Sequence, residues 1–230
     1  MTSFTRFGLL GLIGLSLLSG CIGTDILQDL VSANVRITNP VDTLGVGDTY
    51  SFEARYVNDI GRETAAEFRW LSTDPEKLTI DANGLATGVT TGDVAVVVEV
   101  MEDDAALLHD TLPLVVGAST VVSSSARMGS IQTTSSYALE GDFTLEEQEN
   151  GDLVLSFGDD YEASSALPGL YVYLGNNPNS ISDAFEISEV TVFEGKHTYT
   201  IKNVELGDYD YLLYWCKPFG VKVGDGTIGQ

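Results

Sequence analysis

The sequence predicts an all-β protein: two antiparallel β-sandwich domains in tandem, following a cleaved leader. Three observations carry that expectation. Apolar and polar residues alternate over segments of five to eight residues, the period of a half-buried strand. Turn signals, above all Asn-Gly, separate those segments. No heptad, long helical periodicity or internal repeat competes with the alternation.

The leader comes first. Residues 1–6 carry one positive charge, at Arg6, and no acid, and an apolar run from Phe7 to Leu18 follows. That run is too short to span a bilayer as a helix and fits the apolar core of a secretory signal that ends in small residues. Leu18-Ser19-Gly20-Cys21 resembles the bacterial lipobox. The resemblance implies cleavage after residue 20 and lipid on the Cys21 sulfur, against an ordinary signal peptide with an incidental cysteine or an uncleaved anchor. Each buried acyl methylene contributes about 0.8 kcal/mol and one chain alone holds reversibly, so a multiply acylated cysteine implies lasting membrane anchorage. Ile22 is not the aspartate that resembles an inner-membrane retention signal. In a Gram-negative cell envelope the outer membrane is therefore favoured over the inner. Residues 21–33 read as a lipidated tether.

In the first half, residues 51–57 and 67–72 alternate apolar with polar, and residues 93–100 and 110–116 supply two further strands. Asp81-Ala82-Asn83-Gly84 is a turn, because Asn-Gly tolerates positive φ. Gly47 to Phe52, Phe68 to Pro75, Ile80 to Val89 and Thr91 to Val96, in that order, resemble the bacterial immunoglobulin-like domain, group 2, of intimin and invasin type. That resemblance covers residues 34–117 and implies a spacer or adhesion module. In it Trp70 would pack between two sheets, as its alternating context already suggests.

Small polar residues, including Ser123 to Ser125 and Thr133 to Ser136, divide the chain, and 118–136 reads as a Ser/Thr-rich linker in which Val121-Val122 can pair as a strand. Beyond it, residues 153–157, 170–174, 189–193, 197–201 and 211–216 read as strands, with turns at Asn150-Gly151 and 176–179. Alternation points Leu212, Tyr214 and Cys216 one way and Tyr211, Leu213 and Trp215 the other. Both faces are apolar, so 211–216 is expected at the centre of a sandwich. Residues 139–143, 168–175 and 211–221 together resemble the DM-thirteen domain associated with Skeletor-type proteins, and Trp215-Cys216-Lys217-Pro218-Phe219 is its most specific motif. The domain runs over 137–230, or begins near 126. The resemblance implies electron transfer, with Cys216 acting as a bare thiol or as a ligand to haem or another prosthetic group.

Chemistry permits that role without requiring it. The thiolate is the reactive form, and Lys217 would favour it if the sulfur is partly exposed. Cysteine ligation of haem would leave His197, His109 or Met128 as conceivable partners by residue type alone. The Cys-x-x-Cys-His attachment signature is absent. Cysteine also packs as a small hydrophobe, and aromatic neighbours in a sandwich strand are often core, so an inert Cys216 stays open beside the redox role. With Cys21 committed to lipid, Cys216 has no disulfide partner.

A formal charge of -23, from 11 Lys and Arg against 34 Asp and Glu, sets the chain against phosphate backbones and excludes nucleic acid as an expected partner. Hydrophobic residues at 43 % are enough for packed cores. Glu102 to Asp104, Asp159-Asp160 and Asp208 to Asp210 have no EF-hand spacing. Two isolated histidines, no Gly-x-Ser-x-Gly context and no phosphate-cradling glycine loop argue against a hydrolase or nucleotide enzyme. The expectations that remain are a redox accessory, whose electron partner is a separate redox protein, and a structural or adhesive lipoprotein that binds a surface ligand.

Overall fold

The computed structural model describes residues 30–102, 105–123 and 126–229, so the leader and Cys21 lie outside the described residues. Those residues form strands throughout, with one short 3-10 turn and no α-helix among them. No helix among them is long and apolar enough to cross a membrane.

The first half contributes β1 (Asn34–Ile37), β2 (Val41–Gly45), β3 (Thr49–Ser51), β4 (Ala54–Val57), β5 (Glu67–Ser72), β6 (Leu78–Ile80), β7 (Leu85–Gly88), β8 (Gly92–Glu102), β9 (Ala105–Gly117) and β10 (Val121–Val122). They build a five-stranded sheet in the order β10-β2-β9-β8-β5, a three-stranded sheet β3-β7-β6 and the pair β1-β4. One pair departs from the antiparallel expectation: β2 runs parallel to β9. Period-two patterning explains the core. Val94, Val96, Val98 and Val100 all turn inward from β8, and β1, β2, β5, β6, β7 and β9 add Val35, Ile37, Leu44, Trp70, Leu78, Ala86, Leu114 and Val116. Trp70 stacks on Phe52 with ring centroids 6.3 Å apart. The turn before β7 depends on Gly84, whose φ of +82° suits glycine and whose pro-Cβ position lies 2.7 Å from the Phe52 carbonyl oxygen.

The alternating run over 51–57 is not one strand. It crosses from β3 to β4, which belong to different sheets, at buried Phe52, whose amide donates to the Gly84 carbonyl at 2.9 Å. Alternation records which side chains are buried and is silent about a change of sheet.

The second half contributes β11 (Ala126–Thr133), β12 (Leu139–Glu147), β13 (Leu153–Phe157), β14 (Glu162–Ala163), β15 (Leu170–Gly175), β16 (Phe185–Glu189), β17 (His197–Ile201), β18 (Tyr211–Cys216) and β19 (Val221–Thr227), with the 3-10 turn Lys217–Phe219 between β18 and β19. The sheet path is β16-β15-β18-β19-β11-β12-β13-β17, and β14 pairs with β12. It curls around a second core that includes Leu145, Leu155, Leu170, Leu174, Leu212 and Tyr214. β18 lies between β15 and β19 and is apolar on both faces: Leu212, Tyr214 and Cys216 enter this core, while Leu213 and Trp215 form a smaller cluster on the other side. The stretch at 118–136 carries two strands, β10 completing the first sheet and β11 lying inside the second.

Residues 190–193 are not a strand, contrary to the alternation of Glu189 to Phe193. Val190 donates to the Leu170 carbonyl and Phe193 accepts from the Ala163 amide, both at 2.8 Å. The chain is therefore crossing from the β15 side of the core to the β14 side, and its apolar residues pack inward along the way.

The two halves touch along a seam. Asn177 Nδ2 donates to the Ile60 carbonyl at 3.0 Å, and Arg62 reaches Asp183 through two bonds of 3.2 Å. Gly61, at φ +79°, fits against Asn177 where any Cβ would stand 2.5 Å from the asparagine Cβ.

Candidate functional site

The motif residues of the second half converge. Gly169, at φ +82°, turns the chain so that its carbonyl accepts from the Lys217 amide at 3.1 Å, and its open Cα face lies against the Pro218 ring. One residue earlier, the Pro168 carbonyl accepts from Cys216 Sγ at 3.7 Å. The Pro168-Gly169 and Cys216-Lys217-Pro218 segments, 48 residues apart, thus form one built turn at the end of β18. Pro218 sits at the start of the 3-10 turn, and Gly220 closes it in the left-handed region.

Within this turn the residues point to different environments. Cys216 is 2 % exposed and belongs to the aliphatic and aromatic core of the second body. Trp215 is buried on the opposite face of β18. Lys217 spends its charge away from the sulfur, with Nζ 2.6 Å from Glu186 Oε2 and 4.6 Å from the Tyr171 ring centroid. The Glu186 contact raises the Lys217 pKa, against a smaller opposing effect of desolvation. Phe219 projects outward, 69 % exposed. The condition under which Lys217 would activate the thiol, a partly exposed sulfur, is not met in this geometry.

The conceivable haem partners are scattered. His109 lies on β9 opposite Glu99 in the first sheet, and Met128 is 70 % exposed on β11. His197 stacks on Phe157 with centroids 4.7 Å apart and meets the Tyr161 ring edge-on at 4.4 Å. Its Nδ1 pairs with the Gly195 carbonyl at 2.9 Å. The carbonyl can only accept, so Nδ1 donates in that contact, and Nε2 is buried without a hydrogen-bond partner. Tyr161, Tyr199 and Tyr214 also have buried hydroxyls with no hydrogen bond of good geometry. Desolvation is the main cause holding all three phenols above their ordinary pKa; proximity of the Tyr161 and Tyr214 hydroxyls lowers the former and raises the latter. They remain neutral at physiological pH. Of the acidic runs that lack EF-hand spacing, Asp159 pairs with Lys196 at 2.8 Å in solvent, and Asp210 is 5 % exposed and engaged by arginines. Among the described residues no group of three His, Cys, Asp or Glu side chains is placed to hold a metal ion.

The arrangement that sequence reasoning missed is the charge cluster in the seam. Arg36 and Arg55 stand directly opposite each other across the β1–β4 ladder, a like-charged pair that is unfavourable by itself. Both reach Asp210, the residue before β18: Arg36 Nη1 at 2.6 Å and Arg55 Nη2 at 2.8 Å from the same Oδ1. Asn34 Nδ2 donates to the other carboxylate oxygen at 3.4 Å. Asn176 Oδ1 accepts from Arg55 Nη1 at 3.2 Å and from the Asp210 amide at 3.0 Å. Arg127 of β11 faces the same group, 7 % exposed, with Nη1 buried and unpartnered. The sequence carries no signal for it: Arg36 and Arg55 alternate with the core-facing Val35, Ile37, Ala54 and Tyr56, so they occupy positions where period-two patterning expects polar residues.

A cleft of about 530 Å³ opens on the second body, lined by Met128, Ser130, Asp142, Phe143, Ser156 and Asp160 among others. Its floor is held by hydrogen bonds from Ser130 Oγ to Asp142 and from the Asp142 amide to Asp160. No known protein family and no curated protein matches the chain.

Proposed function

We propose that the chain is an extracytoplasmic lipoprotein, tethered to a cell-envelope membrane through Cys21 and favouring the outer membrane in a Gram-negative cell, whose two β bodies serve a structural or adhesive role. The observation that carries the choice of role is the burial of Cys216: at 2 % exposure, against the Pro168 carbonyl and with the Lys217 charge spent on Glu186, its sulfur packs as core. The leader pattern supports the tether, and the group 2 immunoglobulin-like resemblance of residues 34–117 supports a spacer or adhesion module. An acidic, hydroxyl- and ring-lined cleft and the exposed Phe219 are surface a binding partner can use.

A second reading keeps the electron-transfer role that the DM-thirteen resemblance implies, with Cys216 as a thiol or as a ligand to a prosthetic group. It is favoured by the aromatic file in the same core, where Tyr214 lies 6.5 Å from Tyr161 and Tyr161 lies 4.4 Å from His197. Thiol titration of the native chain, with a visible spectrum recorded before and after added haem, separates the two. The structural reading expects a thiol that reacts only on unfolding and no bound chromophore. A thiol that reacts in the native state, or a haem spectrum lost in Cys216→Ala, overturns it in favour of the redox role. For the tether, Cys21→Ser is expected to abolish lipid labelling and release the protein from the membrane fraction; unchanged attachment refutes it.

A further inference from the structure

Three of the chain's eleven Lys and Arg residues gather in the seam, around one buried carboxylate. Arg36 and Arg55 share Asp210, and Arg127 faces it without a hydrogen bond of its own from Nη1. Glu63, the other acid whose charge acts on Arg55, is exposed to water and correspondingly screened. Among the described residues the seam therefore sets three guanidinium groups, Arg55 and Arg127 buried and Arg36 partly buried, around one buried carboxylate. Arg55 Nε and Arg127 Nη1 are both buried donors with no partner, and their side chains are 4 % and 7 % exposed. A buried, unpaired guanidinium is a costly arrangement, and arginine cannot relieve it by losing its proton within the pH range of proteins. Burial is also the main cause depressing both guanidinium pKa values, and for Arg127 the charges of Arg36 and Arg55 add to it.

From this surplus we infer that the seam is a binding site for a small inorganic anion, chloride or phosphate, held by Arg127 and the Arg36–Arg55 pair. Guanidinium forks suit such a ligand because they present several fixed N–H donors and keep their charge on burial. The anion supplies the countercharge that Asp210 alone does not, and it bridges β4 of the first body to β11 of the second. The site stands apart from the Cys216 turn and does not depend on the function assigned to it.

Calorimetric titration and thermal unfolding of the detergent-solubilised full-length chain test the inference, with chloride or phosphate replacing the bulky anion gluconate at constant ionic strength. Saturable binding, with a rise in melting temperature specific to one or both anions, is expected; whichever anion saturates is the ligand. Arg127→Met is expected to weaken that anion about tenfold or more, the loss of one charge-assisted bond. Equal melting temperatures in all three anions, or an undiminished response in Arg127→Met, overturn the inference. Chloride-35 linewidths of the unmodified chain give a reading that does not depend on the variant folding: broadening in the native state that phosphate competes away is expected if chloride is the ligand. Broadening no greater than that of the urea-unfolded chain, together with a flat phosphate titration, overturns the site.

Discussion

Asp210→Asn tests the seam at its centre. The substitution keeps shape and one acceptor oxygen but removes the charge shared by Arg36 and Arg55, which lie 2.6 and 2.8 Å away. All three side chains are withdrawn from water, at 16, 4 and 8 % exposure for Arg36, Arg55 and Asp210, so solvent screens little of the loss. Deleting one partner of a buried ion pair costs about 3–5 kcal/mol, because the other partner is left charged and desolvated. Here two guanidinium groups are orphaned at once, and they already oppose each other across the β1–β4 ladder. Arg55→Met should cost less, since Asp210 then keeps Arg36 and Asn34. For a chain of this size each kcal/mol moves the melting temperature about 2–4 °C, so Asp210→Asn should fall by about 6–20 °C. Thermal and urea unfolding in gluconate buffer measure it. A loss under about 1 kcal/mol for Asp210→Asn, or a greater loss for Arg55→Met, would refute the account of Asp210 as the shared countercharge.

Arg62→Ala, which breaks the exposed pair with Asp183 on the same seam, should change stability by less than about 1 kcal/mol in the same unfolding assay, because both side chains remain in water. Gly84→Ala should destabilise by more than about 1 kcal/mol in urea unfolding, since φ is +82° and the new methyl meets the Phe52 carbonyl 2.7 Å away. Burial and then Glu186 raise the Tyr173 pKa to about 12, so the folded chain keeps a proton that the unfolded chain releases near pH 10. The stability tied to Tyr173 is therefore present below pH 10 and declines by up to about 1.4 kcal/mol per unit as pH rises from 10 toward 12; absorbance at 295 nm should show delayed tyrosine ionisation coupled to unfolding, and simple titration of all ten tyrosines near pH 10 would contradict it.

Much of the fold was legible because burial in a sheet has period two. β5, β13, β17 and β18 occupy the alternating runs residue for residue, and the two apolar faces of 211–216 place β18 inside its sheet. What alternation leaves out is the identity of the neighbour. It does not separate β3 from β4 at Phe52, does not tell the parallel β2–β9 pair from an antiparallel one, and reads 190–193 as a strand because its apolar residues pack without pairing. The Cys216 motif was visible as a local string, but the buried direction of the sulfur, and the turning away of Lys217 toward Glu186, depend on the Pro168-Gly169 loop 48 residues earlier.

The seam illustrates the same limit in charge. Arg36, Arg55 and Arg127 lie on three separate strands and Asp210 just before β18, spread over 175 residues, so no window of sequence holds the group. Yet each is anomalous where it stands: three arginines withdrawn from water, in a chain whose net charge is -23. Such a surface has acids to spare for neutralising a basic residue, and Arg62, Arg69, Lys77, Lys196, Lys217 and Lys222 each find one. That Arg36 and Arg55 share a single carboxylate and buried Arg127 beside them forms no ion pair among the described residues, amid that excess of acid, is why the deficit in the seam points to a ligand rather than to a shortage of countercharge.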